Sequence, residues 1–103
     1  MSLNTLVDQV RQSTDYQRNR KRLRDQIQTD LMIAHESGLF KITPELIAFL
    51  SVWDEDILYL EDQYGNPIKC NRPVLLEACK QQYQRVINRW HVQHEELQQV
   101  RKI

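Results

Sequence analysis

Through the last third of the chain, apolar residues recur at alternating steps of three and four: Leu76, Cys79, Tyr83, Val86, Trp90, Gln93, Leu97 and Val100, with Gln93 the one polar member. A stripe that repeats every 3.5 residues is stabilised only when another helix covers it. The spacing therefore predicts a long helix over 71–103 whose seam packs on a partner. Two covers fit. One is the same helix of a second copy, giving a homo-oligomer and in the simplest case a dimer. The other is an earlier helix of the same chain, folded back as a helical hairpin. Large Tyr83 and Trp90 disfavour a narrow, uniform two-stranded coil and suit splayed or antiparallel packing. The expectation is self-association, with these eight positions as the interface.

Upstream, Leu3, Leu6, Val7 and Val10 give a short apolar face behind a helix cap at Asn4 or Thr5, and the polar stretch Arg11–Asp15 either bends the helix or continues it. From Tyr16 the pattern sharpens: Tyr16, Leu23, Ile27, Leu31 and Ala34 share one stripe about 80° wide. Gly38 followed by Leu39 reads as a left-handed C-terminal cap with its hydrophobic contact, which makes 1–37 an N-terminal helical region. Thr43 as N-cap, Pro44 in the first turn, and Ile42 placed to staple onto Ile47 predict a short helix within 43–53. Leu46, Ile47, Ala48, Phe49, Leu50, Val52 and Trp53 make it apolar around much of its circumference, as expected of a buried core helix covered on more than one side.

Ile57-Leu58-Tyr59-Leu60, the turn Tyr64-Gly65-Asn66-Pro67, and Ile68-Lys69-Cys70 predict a β-hairpin over 57–70. An apolar run this short is also compatible with further helix over 54–63. Pro67 suits an edge strand, where its missing N–H harms nothing. Asn71 then caps the last helix, with Pro73 tolerated in its first turn. The fold class is α+β, mainly helical, a single domain of two long helices and a short buried helix with a two-stranded β-hairpin. A lone ribbon is marginal in water, so this one must lie on helices or pair with another subunit's ribbon.

Composition narrows the picture little. With 27% charged and 41% apolar residues, two Gly and three Pro, wholesale disorder is excluded. No apolar stretch approaches a membrane span, and no charged start leads into an apolar run, so a soluble, cytoplasmic protein with no membrane partner is expected. Cys70 and Cys79 form no spaced framework. Cys79 lies on the seam, where a reduced thiol acts as a small hydrophobe, and the alternative is a disulfide between the two. Charge is more telling. The net is zero, but residues 1–24 hold six Arg and Lys against Asp8 and Asp15, whereas 54–62 hold five carboxylates and no cation. Such polarity suits either an anionic partner for the basic end or the two segments facing each other.

The basic stretch Arg18, Arg20, Lys21, Arg22 and Arg24 is the candidate for phosphate contacts, and hence for a nucleic-acid partner. On a helix these groups spread around more than half the circumference, Arg20 close to the apolar stripe, and no aromatic residues interleave with them. No zinc-finger, RNA-recognition or basic-zipper pattern is present. His91, His94 and Glu95 sit on adjacent turns, but two imidazoles fall short of the three or four ligands that zinc wants, so neither a metal nor a cofactor is predicted. Asp54, Glu55, Asp56, Glu61 and Asp62 read as solvated charge. Ser13, Ser37 and Ser51 lack nucleophile-elbow glycines, and neither Cys lies in a Cys-X-X-Cys pair, so no residue is assigned a catalytic role.

The segment from Ile57 to Ile68, with its Gly-Asn-Pro turn, and the Asn71-capped helix that follows with Tyr83, Trp90 and the charged end Arg101-Lys102, resemble small uncharacterised proteins of T-even-type tailed phages of marine bacteria. The likeness covers residues 42–103. It implies a virion-assembly, host-takeover or replication-accessory role in the cytoplasm of an infected cell, and it transfers no catalytic or binding residue. The expectation is thus a non-enzymatic helical interaction or assembly protein that self-associates. The rival is a nucleic-acid-binding accessory module.

Overall fold

The computed structural model describes residues 3–102, with the side chains of residues 5–99. The chain is α+β and mainly helical: α1 (Leu3–Asp30), β1 (Met32–His35), β2 (Gly38–Lys41), α2 (Pro44–Val52), β3 (Ile57–Glu61), β4 (Pro67–Asn71) and α3 (Arg72–Lys102). The strands form two separate antiparallel hairpins, β1–β2 and β3–β4. α1 and α3 run antiparallel as a long stalk: the Gln98 amide donates to the Tyr16 hydroxyl near one end (2.8 Å), and Arg89 pairs with Asp30 near the other. The molecule measures 66 × 24 × 17 Å, and its radius of gyration of 19.6 Å compares with about 13 Å for a compact chain of this length.

α1 passes through Arg11–Asp15 without a break and places Thr5 inside the helix, while the side chain of Asn4 lies outside the described residues. It stops at Asp30, short of the expected Gly38 terminus. The carbonyls freed at that end are met from the far part of the chain, because the Gln82 amide donates to the backbone oxygens of Asp30 (2.9 Å) and Met32 (2.7 Å). Residues 32–41 then form a hairpin that the helical reading missed, pairing Ile33 with Phe40 and His35 with Gly38. Its two-residue loop has Glu36 at φ 54°, the positive first position of a primed turn. Gly38 is therefore no helix cap. It lies in β2, where a Cβ would stand 2.6 Å from Ile68 Cγ1, so its role is to let the hairpins approach.

α2 starts as expected, with Thr43 Oγ1 accepting from the Leu46 N–H (3.0 Å) and Pro44 in the first turn. It is not the enveloped helix that its composition suggested. Leu50 is buried and Leu46 and Ile47 half-buried, but Phe49, Val52 and Trp53 on the opposite side are exposed. β3–β4 resolves the ambiguity over 54–63 in favour of strand. Leu58 faces Cys70 and Leu60 faces Ile68 on the covered side, with Ile57, Tyr59 and Lys69 outside. At α3, Asn71 Oδ1 accepts from the Val74 N–H (3.3 Å), and Arg72 ties the start of the helix to the α2–β3 connection through the carbonyls of Leu50, Glu55 and Asp56.

One core joins these pieces. Ile27, Leu31, Phe40, Ile42, Leu50, Leu58, Ile68, Cys70, Leu75, Cys79 and Val86 form a single buried cluster to which every element contributes except β1, whose Ile33 packs at its rim. It sits at the hairpin end of the stalk.

Candidate interaction surfaces

The seam of α3 finds much of its cover inside the same chain. Cys79 and Val86 are buried in the core, and Leu76, Tyr83 and Trp90 pack against it half-buried. Beyond Trp90 the seam opens: Gln93 is exposed, Leu97 is half-buried, and the side chain of Val100 lies outside the described residues. Of the two covers that the heptad allowed, α1 supplies one. A second copy has no access to Cys79 or Val86 in this arrangement, while Leu76, Tyr83 and Trp90 keep part of their surface outside the intramolecular packing. Both cysteines are free. Burial pushes the Cys79 thiol up to about 11, and the Cys70 thiol is raised by the same cause, so neither is an activated nucleophile.

Arg18, Arg20, Lys21 and Arg22, with Arg24, are all exposed, and among the described residues none of them forms an ion pair. Arg18, Lys21 and Arg22 line a shallow groove of about 420 Å³ together with Asp25, Gln26 and Thr29. Arg20 and Arg24 leave α1 on the side of the buried Tyr16–Ile27 stripe, so the five cations divide between two faces and make no single ridge. A second cleft, of about 590 Å³, lies between the Glu36–Ser37 loop and β4, and Ile57, Ile68, Lys69, Cys70 and Asn71 complete its walls.

Among the described residues no three His, Cys, Asp or Glu side chains gather as metal ligands; His91 and Glu95 are exposed, and His94 lies 3.5 Å from the Gln98 amide. His35 has a structural contact, its Nε2 accepting from the Asn71 N–H (3.1 Å). The acidic segment splits. Asp54, Glu55, Asp56 and Glu61 are exposed, whereas Asp62 is buried and accepts from the N–H groups of Asn66 (2.9 Å), Tyr64 (3.0 Å) and Leu39 (3.2 Å). The Asn66 bond does most to hold this carboxyl below its ordinary range; burial opposes it, and the Leu39 and Tyr64 bonds reinforce it. Reading Asp62 as solvated charge missed a residue that closes the β3–β4 turn and ties it to β2. Its position two residues before Tyr64-Gly65-Asn66 is the available signal, because Asp side chains commonly bond the backbone two residues on.

Among the described residues, two clusters of exposed apolar side chains lie on helices α2 and α1. On α2, Phe49 stacks on Trp53 with ring centroids 5.4 Å apart, and Val52 beside them is 80% exposed. On the first turns of α1, Leu6, Val7 and Val10 are 50%, 41% and 59% exposed. Equal rise along the two stalk helices explains the second patch. Four residues from the Tyr16–Gln98 contact, Gln12 stands level with Lys102, so the turns before it extend past the described end of α3. The two patches thus lie at opposite ends of the molecule. Charge is uneven along it, though the first turns of α1 themselves hold only Arg11 against Asp8 and Asp15, and the surplus cations lie farther along the stalk. Residues 31–84, which hold both hairpins and α2, carry four cations and eight carboxylates, a net of −4. The rest of the stalk carries ten and six, a net of +4.

No helix among the described residues is long and apolar enough to cross a membrane. No family model, curated protein or solved structure matches the chain.

Proposed function

We propose that the chain is a non-enzymatic protein–protein interaction or assembly protein that self-associates. The observation that supports this reading is surplus surface. The accessible area is 7769 Å², against about 6,100 Å² for a compact monomer of this mass. Part of the excess is apolar side chain on α1 and α2 that is exposed among the described residues. A standard interface takes about 800 Å² from each partner, so the excess is ample for one. The expected contact differs from the full heptad seam in using what the stalk leaves over. In the phage setting that residues 42–103 suggest by resemblance, such a protein would serve virion assembly, host takeover or replication as an adaptor. Light scattering after size exclusion, over a wide range of loading concentrations, tests the reading. A mass that climbs from one chain toward a multiple is expected, and a single-chain mass at every concentration sinks it.

A second reading keeps the anionic partner, because the five cations of 18–24 have no ion-pair partner among the described residues. It predicts that a labelled DNA duplex or RNA strand binds at low salt and is released steeply as salt rises. Unchanged anisotropy of both probes at low salt removes it.

A further inference from the structure

We infer that the tip of the β1–β2 hairpin is a pH-sensitive cover, pinned over the cleft beside β4 by a hydrogen bond that only uncharged His35 can make. The pin joins His35 Nε2, at the last residue of β1, to the Asn71 N–H (3.1 Å). Strand register explains why that N–H is available. The Arg72 N–H donates to the Asp56 carbonyl, so the next pair along the ribbon, Ile57 and Asn71, is a non-hydrogen-bonded one, and the Asn71 N–H points away from β3. A backbone N–H only donates. Nε2 must therefore offer its lone pair, with the ring hydrogen on Nδ1. Imidazole takes up its second proton between about pH 8 and pH 5, and the imidazolium carries N–H at both nitrogens. The bond is present at the upper end of that range and is lost as pH falls.

The rest of the tip is placed so that this one bond matters. Among the described residues it is the one hydrogen bond from residues 33–37 to anything outside the hairpin. The β2 side has its own ties, because Leu39 accepts from the Gln63 N–H (2.8 Å) and donates to the Asp62 carboxylate (3.2 Å). Losing the pin frees the β1 side while β2 stays docked. Between the two sides stand Glu36 and Ser37, which wall the cleft opposite Lys69, Cys70 and Asn71. Burial is the main cause that raises the Cys70 thiol, and the Glu36 carboxylate adds to it, so the loop lies close enough for its charge to act on the sulfur. The charged groups around the contact are Glu36 on the loop, Lys69 on β4, and Arg72 at the start of α3 with its partner Asp56 (3.6 Å) from the α2–β3 connection. Among the described residues none of them bonds the ring. No second contact replaces the pin when the imidazole is protonated.

The experiment follows, in the full chain, how fast a neutral disulfide reagent labels Cys70 relative to Cys79 at about pH 7.5 and about pH 5.5, either side of the imidazole range. Both thiols are raised, so their thiolate fractions fall in parallel and the ratio removes the common effect of pH. In wild type the ratio is expected to rise at least about threefold on acidification, the effect of losing one hydrogen bond. His35→Gln keeps an acceptor that does not titrate and should hold the ratio flat. His35→Phe, with no acceptor, should show the high ratio at both pH values, and a chain with His91→Gln and His94→Gln should respond like wild type. A wild-type ratio that does not change overturns the proposal, as does a rise of the same size in His35→Gln. If the His35 variants do not fold, NMR of the wild type decides. The Asn71 amide resonance is expected to move along the titration curve of the His35 ring, and an Asn71 resonance that stays fixed while the ring titrates overturns the pin.

Discussion

Asp62 accepts three backbone N–H bonds through one carboxylate, and this gives the fold a built-in sensitivity to acid. In an unfolded chain the group titrates near 3.8, and in the folded one its value is lower. The native state thus holds the proton less tightly than the unfolded state does. The stability this contributes is complete above about 3.8, declines as pH falls from there, and is gone below the folded value. Asp62→Asn should unfold at lower urea than wild type at neutral pH and should lose less than wild type between pH 5 and pH 3. Parallel losses in the two proteins would assign the acid sensitivity elsewhere. Gly38 has a different constraint, since its φ is ordinary and space is what is missing: a Cβ would sit 2.6 Å from Ile68 Cγ1 and 3.1 Å from Phe40 Cε2. Gly38→Ala should cost about 1–3 kcal/mol by overpacking. In an Ile68→Ala background the same change should cost clearly less, and a double-mutant cycle of urea midpoints reads the coupling.

At the scale of elements, what could be read in the sequence is what local chemistry writes. Thr43-Pro44 marked the start of α2, Gly65-Asn66-Pro67 marked the β3–β4 turn, and Asn71 marked the start of α3, because each signal lies within a few residues of the bond it makes. The end of α1 was hidden. Its cap is the amide of Gln82, 52 positions beyond Asp30, and Ala34 fits the helical stripe as well as it fits a ribbon. The β1–β2 loop also lacks the usual Asn or Gly, placing Glu36 at positive φ instead. Gln82→Met, similar in shape but without donors, should therefore cost about 1–3 kcal/mol by leaving the Asp30 and Met32 carbonyls short of partners. Thermal unfolding of the variant, with Gln81→Met as an exposed control, measures it. The heptad of α3 declared that a cover exists, but spacing carries no label that separates α1 from a second copy. For the same reason the free face of α2 could not be told from its packed one: Phe49, Val52 and Trp53 are as apolar as Leu46, Ile47 and Leu50.

At the scale of the molecule, a single core holds both hairpins, α2 and the stalk together, and the two thiols inside it report on its integrity. Cys70 and Cys79 have no exposed surface, and the Cys79 thiol is pushed up to about 11, so a neutral thiol reagent should label the native protein slowly. Both sulfurs should become reactive together as urea crosses the unfolding midpoint. One thiol reacting well before the other would show that the β3–β4 ribbon opens separately from α3. The α1–α3 contact also governs how the chain comes to be folded. Tyr16 meets Gln98, 82 positions later, and Ile27 shares its cluster with Val86. Contacts so distant in sequence slow folding, because the chain must close a long loop before they form. During synthesis, which runs from the N-terminus, the stripe of Tyr16, Leu23 and Ile27 emerges long before the helix that shields it. Until that helix arrives the nascent chain presents greasy surface to its surroundings, which makes this interval the point at which the protein is most exposed to misassembly and to capture by chaperones.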